Sequence, residues 1–161
     1  MMILGTQNYF SGYSETHYTC PKQTVLLNVS PESGLHLIFD DVTSLSSLNS
    51  LSSWNNFFQL TGANQFTNYT YNSSNKEVIL TGGTINELFP NDLLKTNLIG
   101  LVDTNGTIKK VSDEAFINSN LKKVFLSDAE DLSFRAFQGS KKLLEFDAPK
   151  LKNAKETIET K

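Results

Sequence analysis

Apolar positions in the second half of the chain recur at a fixed spacing of 21 or 22 residues. The paired positions are Val111 with Leu132, Ala115 with Ala136, Phe116 with Phe137, Leu121 with Leu143, Val124 with Phe146, and Leu126 with Ala148. A period in the low twenties is typical of stacked repeats, because a unit this short cannot cover its own apolar face. The sequence therefore predicts a solenoid whose core these positions form.

Each unit divides into a short helical turn and a strand. The spacing of four to five residues from Val111 to Ala115 and Phe116 suits one or two helical turns with one apolar face. In residues 121–126 the apolar positions end with a period of two, which suits a short strand with one face inward. Because stacked copies share a core, we expect residues 121–126 and 143–148 to lie side by side as parallel strands.

Weaker copies of the unit lie on both sides of this pair. The strands of all copies are predicted near residues 77–80, 98–102, 122–126 and 144–148. Asn105-Gly106 is a strong turn signal between two of them. After residue 148 the unit becomes polar, as a terminal cap should be. The pattern predicts about three and a half units over residues 77–161.

Strand patterns dominate the first half of the chain. Residues 23–29 and 35–39 are predicted strands separated by a Pro- and Gly-containing turn. Residues 66–71 and 77–80 are expected to form a hairpin across an Asn- and Ser-rich turn.

One short helix is predicted within this half. Trp54 is spaced three and four residues from Phe57 and Phe58, so the three rings would share one helical face. Ser52 or Ser53 stands where an N-cap residue is expected.

Charge separates the two halves. Eleven of the fourteen Lys and Arg residues lie from Thr107 onward, whereas residues 1–75 are rich in Asn, Ser, Thr and aromatic residues. We therefore predict an N-terminal arm at residues 1–22, a β-rich subdomain with the short helix at residues 23–76, and the solenoid at residues 77–161. The predicted fold class is mixed α/β, with a short parallel-strand solenoid preceded by the β-rich subdomain.

The repeat residues resemble a known family. The runs DEAFINSNLKKVFL and LSFRAFQGSKKLLEFDAP place an aromatic residue after an alanine, then a leucine, then a β-strand apolar position. This pattern is similar to the BspA-like, surface-protein type of bacterial leucine-rich repeat. The resemblance implies a leucine-rich-repeat solenoid with an adhesive or architectural role and no catalytic residues. Two features depart from the family: Asn120 and Lys142 replace the usual small residue before the leucine, and the repeats are few.

The first half is similar in style to segments joined to such repeats in proteins of Bacteroidetes and their phages. The similarity is carried by the runs FDDV, WNNFF and EVILTGG. It implies a phage origin for the chain, and no catalytic residues carry over from it.

Side chains suited to catalysis or metal binding are scarce. His17 and His36 are the only histidines and lack a metal-ligand spacing, and the single cysteine, Cys20, has no basic neighbour in sequence. The acidic groups at residues 40–41 and 128–131 do not follow the spacing of a calcium loop, so we interpret them as solvated turns. We predict no enzyme, no cofactor and no metal site, although carboxylate-only glycosidase chemistry is left open by the sequence.

Charge and hydropathy also restrict the partners. The net charge is −3, and the lysine pairs of the repeats are accompanied by acids, so we expect a solvated repeat edge and no nucleic acid. No stretch approaches the roughly 18 apolar residues of a membrane span, and the first residues lack the basic and apolar regions of a secretory signal. We therefore expect no membrane insertion and no export signal.

These expectations together predict a non-enzymatic virion structural protein, assembled in the host cytoplasm. The chain would be a phage fibre, spike or decoration subunit, homo-oligomeric, that contacts other virion proteins and a host-surface glycan or protein. A bacterial cell-surface adhesin and an intracellular protein-interaction module are the alternatives. The assembly contacts are assigned to four aromatic residues of the arm, whose other interpretation is completion of the monomer core: Tyr9, Phe10, Tyr13 and Tyr18.

Overall fold

The computed structural model describes residues 2–3 and 27–154 of the 161-residue chain. Two short helices are described, α1 (Leu51–Phe57) and α2 (Asp92–Asn97). The strands are β1 (Met2–Ile3), β2 (Leu35–Phe39), β3 (Asn68–Asn72), β4 (Glu77–Thr81), β5 (Glu87–Leu88), β6 (Leu98–Asp103), β7 (Lys110–Val111), β8 (Lys123–Leu126), β9 (Asp131–Leu132), β10 (Glu145–Asp147) and β11 (Asn153–Ala154). The strands form a large sheet in the order β1-β10-β8-β6-β2-β4-β3 and a small sheet in the order β11-β9-β7-β5.

The second half of the chain is a parallel-strand β-solenoid of about three turns. The chain passes alternately through the two sheets, so that β6, β8 and β10 are parallel neighbours in the large sheet and β5, β7, β9 and β11 are parallel neighbours in the small one. Val124 lies opposite Leu101 on one side and Phe146 on the other. The predicted parallel pairing of residues 121–126 with residues 143–148 is therefore confirmed.

A third side of the coils is a tight turn, whose backbone conformation is repeated in the second and third coils. Glu114 and Arg135 have φ angles of 58° and 59°, and Asn118 and Gly139 have φ angles of 57° and 74°. Positive φ is uncommon for residues other than glycine, so its recurrence 21 positions later shows that the turns are equivalent. Only the first coil has a regular helix there, α2, which Asn91 caps by accepting a hydrogen bond from the Leu94 N–H. The helical turns predicted around Ala115 and Ala136 are hydrogen-bonded turns instead.

Strand β2 is inserted between the solenoid and β4, which the sequence analysis did not predict. β2 is antiparallel to β6 on one side and to β4 on the other. The prediction that the strand near residues 77–80 stacks directly on the next repeat strand is therefore wrong. All five residues of β2 are buried, and apolar residues on both faces suit the interior of a sheet more than an edge.

Predictions for the first half had mixed outcomes. The hairpin is confirmed, since β3 and β4 pair antiparallel from Asn68 with Thr81 to Asn72 with Glu77. The helix is confirmed, but its cap is Ser50, which forms a reciprocal capping box with Ser53. The strand predicted at residues 23–29 is wrong for residues 27–29, which have no regular structure, and its remainder lies outside the described residues. The division at residue 76 stays a prediction.

The core is one continuous cluster that extends from β2 and α1 to the last coil. Trp54, from α1, is fully buried beside Phe39 and Phe58. The nine predicted repeat-core residues also lie in the interior, each at most 1 % exposed: Val111, Phe116, Leu121, Val124, Leu126, Leu132, Phe137, Leu143 and Phe146.

Candidate binding face

Alternate residues of the large sheet point away from the core and form two rows across the strands. The first row is Thr70, Ile79, His36, Val102, Phe125 and Asp147, and the second is Asn72, Glu77, Ile38, Gly100, Lys123 and Glu145. Residues directly opposite in neighbouring strands share a face, so each row is continuous from β3 to β10. We call these two rows the outward face.

Residues 27–32 cover the half of the outward face that lies over β2, β4 and β6. The Ser30 N–H donates to the Glu77 carboxylate at 3.2 Å, and the Asn75 side-chain amide donates to the Asn28 carbonyl at 2.9 Å. Because Gly100 has no side chain, the covering segment can approach β6 closely. An added Cβ there would lie 3.1 Å from Leu27 Cδ1. This half of the face is therefore filled by the protein itself.

A buried histidine–glutamate pair fixes the covering segment. His36 Nδ1 lies 2.6 Å from Glu77 Oε2, and His36 Nε2 lies 2.6 Å from the Glu32 carbonyl oxygen. A carbonyl can only accept, so Nε2 carries a proton, and one further proton lies between Nδ1 and Oε2. The pair is neutral overall whichever atom holds that proton. Neither side chain has any solvent exposure, so the pair holds the segment in place and does not itself meet a ligand.

The other half of the outward face, over β8 and β10, is a groove that the described residues leave open. It has a volume of about 280 Å³, and its lining includes Val29, Val102, Phe125, Lys123, Glu145 and Asp147. The first three side chains make an apolar floor, and the last three place two carboxylates and one ammonium group at its rim. Lys123 Nζ lies 3.6 Å from Glu145 Oε1, so these two groups form an ion pair across β8 and β10.

Ion pairs and hydrogen bonds connect the acidic groups of one coil to the next. Lys150 Nζ lies 2.5 Å from Asp128 Oδ1, and this contact lowers the pKa of Asp128. Lys152 lies 3.6 Å from Glu130 in the same way. The Asn153 side chain completes the series by donating to Asp131 at 2.6 Å. The acidic run at residues 128–131 therefore stacks on the following coil.

Asp103 is a buried carboxylate with a structural role. Its oxygens accept the N–H groups of Asn105 at 3.0 Å and Ile108 at 3.4 Å, which holds the Asn105-Gly106 turn at the end of β6. Burial raises the pKa of Asp103 above its ordinary value. Gly106 has a φ angle of 82°, so the predicted turn is confirmed.

Neither a metal cluster nor a membrane span occurs in the part of the chain that the structure describes. Within residues 2–3 and 27–154, no three His, Cys, Asp or Glu side chains come together as metal ligands. No helix in those ranges has the length and apolar character needed to cross a bilayer. Asp41, from the acidic pair at residues 40–41, instead accepts hydrogen bonds from the backbone and hydroxyl of Thr43.

A second cavity of about 500 Å³ lies between the end of α1 and the segment from β5 to α2. Its apolar lining includes Phe58, Leu60, Ile85 and Phe89, and Phe89 is 63 % exposed. Glu87 at its edge faces Lys110 of the next coil at 3.9 Å. The cavity offers apolar contact and amide groups, which suit binding more than chemistry.

The structure places the predicted functional residues in different ways. The aromatic residues of the arm, Tyr9, Phe10, Tyr13 and Tyr18, lie outside the described residues, as do His17 and Cys20. The groove residues were missed, although the period-two pattern of residues 124–126 already placed Phe125 opposite the core. The pairing of His36 with Glu77 had no sequence signal, because 41 positions separate them.

The described residues define a mixed α/β protein built on a parallel-strand β-solenoid, with a partly apolar groove over β8 and β10. No protein-family model matches the chain, and neither a curated protein nor a solved structure is significantly similar to it.

Proposed function

We propose that this protein is a non-enzymatic binding subunit of a virion, with a solenoid of the leucine-rich-repeat type. The open groove of the outward face is the single observation that carries the binding role. Solenoids present extended strand surfaces to their ligands, and the groove is the part of that surface that residues 27–154 leave uncovered. The virion setting is supported by the resemblance of the repeats and of the first half to surface and phage proteins.

The chemistry of the groove favours a protein partner. Val102 and Phe125 supply an apolar floor for an anchor side chain, and charged residues surround it as a rim. The partner would therefore offer an apolar anchor residue flanked by polar or charged residues that meet this rim. Such a segment could belong to another virion protein or to a host-surface protein.

Fractionation of particles tests the virion setting. Lysate of the producing strain is separated on a density gradient, and peptides of the chain are quantified in each fraction by mass spectrometry. We expect the peptides in the band that contains the capsid proteins. Recovery with the cell envelope would point to an adhesin, and recovery only with free proteins would point to an intracellular interaction module. Either result would overturn the proposal.

A pair of variants tests the groove within the same experiment. Phe125→Asp places a third carboxylate on the floor of the groove and should reduce incorporation into particles at least tenfold. Phe134→Asp is the matched control, because Phe134 is 37 % exposed and its ring lies beneath Arg135 on the turn side of the solenoid, away from the groove. Equal incorporation of the two variants would show that the groove is not the binding site.

A further inference from the structure

The outermost strand of the large sheet has a sequence that reads the same in both directions. Strand β3 is Asn68-Tyr69-Thr70-Tyr71-Asn72, and it stands at the end of the sheet with β4 on its inner side. Among the residues that the structure describes, no strand pairs with its outer side. Four of its five residues are exposed, and Tyr69 is half-buried.

Two residues of β3 direct their backbone hydrogen-bonding groups away from β4, toward the side where no described strand lies. Successive residues of an antiparallel strand direct their N–H and C=O groups alternately to the two sides. The Tyr69 N–H donates to the neighbouring Asn68 side chain at 3.1 Å, so it points away from β4. Tyr71, two positions later, has the same orientation. The outward hydrogen-bonding groups are therefore those of Tyr69 and Tyr71.

Features that usually protect a sheet edge are missing from β3. Protein edges are commonly blunted by charged side chains, proline or a bulge. β3 has neither a charge nor a proline, and its register with β4 is unbroken from Asn68 to Asn72. An uncharged, regular edge is a template for a further strand.

We propose that β3 pairs with β3 of a second copy of this chain, antiparallel and across a twofold axis at Thr70. In this register Tyr69 of each copy faces Tyr71 of the other, and each such pair exchanges both of its backbone hydrogen bonds. Asn68 faces Asn72, and Thr70 faces itself. The strand has no charged residue, so no like charges are opposed, and its register is complementary to itself.

The tyrosine side chains also favour a second copy of the chain as the partner of β3. Tyr69 and Tyr71 lie opposite Leu80 and Val78, so both rings are on the core side of the sheet. Tyr71 is 38 % exposed there, because the core layer ends beside it. Pairing brings the Tyr69 ring of the second copy against this exposed ring, and cross-strand aromatic pairs are favourable.

Charge substitution at the axis tests the pairing. Thr70 is exposed, so Thr70→Lys leaves the monomer intact while placing two ammonium groups opposite each other. By light scattering we expect a wild-type mass of twice 18.0 kDa and a mass of 18.0 kDa for Thr70→Lys and for Thr70→Glu. An equimolar mixture of the two variants should return to the doubled mass. Ser47→Lys, at an exposed position away from β3, should remain a dimer.

Cysteine cross-linking tests the register in a Cys20→Ser background. The Thr70 pair would be of the non-hydrogen-bonded type, with Cα atoms about 4.5 Å apart, which a disulfide can bridge. Thr70→Cys should cross-link with itself. Asn68→Cys should cross-link with Asn72→Cys and not with itself. A monomeric wild type, a dimer that survives Thr70→Lys, or self-cross-linking of Asn68→Cys would each overturn the proposal.

Discussion

Phe116 and Phe137 stack face to face in the core, with ring centroids 5.5 Å apart and planes within 6° of each other. They occupy equivalent positions in successive coils, 21 residues apart. Phe137 also meets Phe146 edge-on at a centroid distance of 5.4 Å. All three rings are fully buried. An aromatic column therefore runs through the solenoid and connects its last coils.

Removing the middle ring of this column, Phe137, should lower the free energy of unfolding more than removing the first ring, Phe116. Phe137→Ala and Phe116→Ala should each lower the free energy of unfolding by about 3–5 kcal/mol, with the larger loss for Phe137 because it has two ring partners. Urea unfolding measures both, and the double variant should show a coupling of about 0.5–1.5 kcal/mol. Phe89→Ala, at the exposed ring, is the control and should change stability by less than about 0.5 kcal/mol. A loss at Phe137 no greater than at Phe89 would contradict the column.

Two buried serines also connect successive coils, and one of them should be essential for stability. The Ser140 hydroxyl donates to the Phe116 carbonyl at 2.7 Å, and it accepts from the Ser119 hydroxyl at 2.6 Å and the Ser119 N–H at 3.2 Å. Ser140→Ala leaves these buried groups unpaired and should cost about 1–3 kcal/mol in urea unfolding.

Ser112→Ala is the matched control for this measurement. The Ser112 hydroxyl is buried and has no hydrogen-bond partner among the described residues, so its removal should be neutral or slightly stabilising. A loss at Ser112 as large as that at Ser140 would show that burial of a hydroxyl, and not its bonds, sets the effect.

The loss of stability on replacing Glu77 should depend on whether the new side chain can still bond to His36. Glu77→Ala leaves a buried imidazole facing a void and should cost about 3–5 kcal/mol. Glu77→Gln should cost less, because its amide can donate to a neutral Nδ1 while its oxygen still accepts from Asn75. Part of the loss remains, since the Ser30 N–H gives up its 3.2 Å contact with Oε2 and keeps only the 3.4 Å contact with Oε1. Glu32→Gln should have almost no effect, since His36 bonds to the carbonyl of Glu32 and not to its side chain. Thermal unfolding compares the three, and a Glu77→Gln loss equal to that of Glu77→Ala would refute the proton arrangement.

Asp103 should make stability decrease as the pH rises through the acidic range. Burial raises the pKa of Asp103 in the folded protein above its ordinary value of 3.8. Between these two values the folded state holds a proton that the unfolded chain has released, so the contribution of Asp103 to the free energy of unfolding falls with rising pH. Above the folded value both states are ionised and the contribution is constant.

Asp103→Asn provides the reference for this measurement, because the amide does not titrate. The free energy of unfolding of the wild type minus that of the variant should decrease from pH 3.8 upward and then level off. Urea titrations between pH 3.5 and 7.5 give this difference. A difference that increases with pH would mean that the hydrogen bonds from Asn105 and Ile108 outweigh burial.

The repeat half was predictable because its signal is local and periodic. Val124 and Phe146 occupy the same place in two units, and their parallel pairing follows from that spacing alone. The hairpin of β3 and β4 was predictable for a similar reason, since its strands are joined by a short polar turn. In both cases neighbouring residues specify which partner each strand takes.

The position of β2 was not predictable, because its partners are distant in sequence. Leu37 lies between Val78 and Leu101, which are 41 and 64 positions away. Its residues indicate burial on both faces but do not say which strands lie beside it. The pairing of His36 with Glu77 follows only once that placement is known. The candidate groove also depends on that placement, because it is the half of the outward face that the segment covering β2, β4 and β6 does not reach.

The insertion of β2 restricts how this architecture can lengthen. A duplicated coil placed before β6 would separate β6 from β2 and break a set of pairings that brings together residues far apart in the chain. A duplicated 22-residue coil placed between β8 and β10 would leave every one of those pairings intact. Duplication on the C-terminal side of β6 therefore preserves the pairings of β2, and each added coil would add one strand to the outward face.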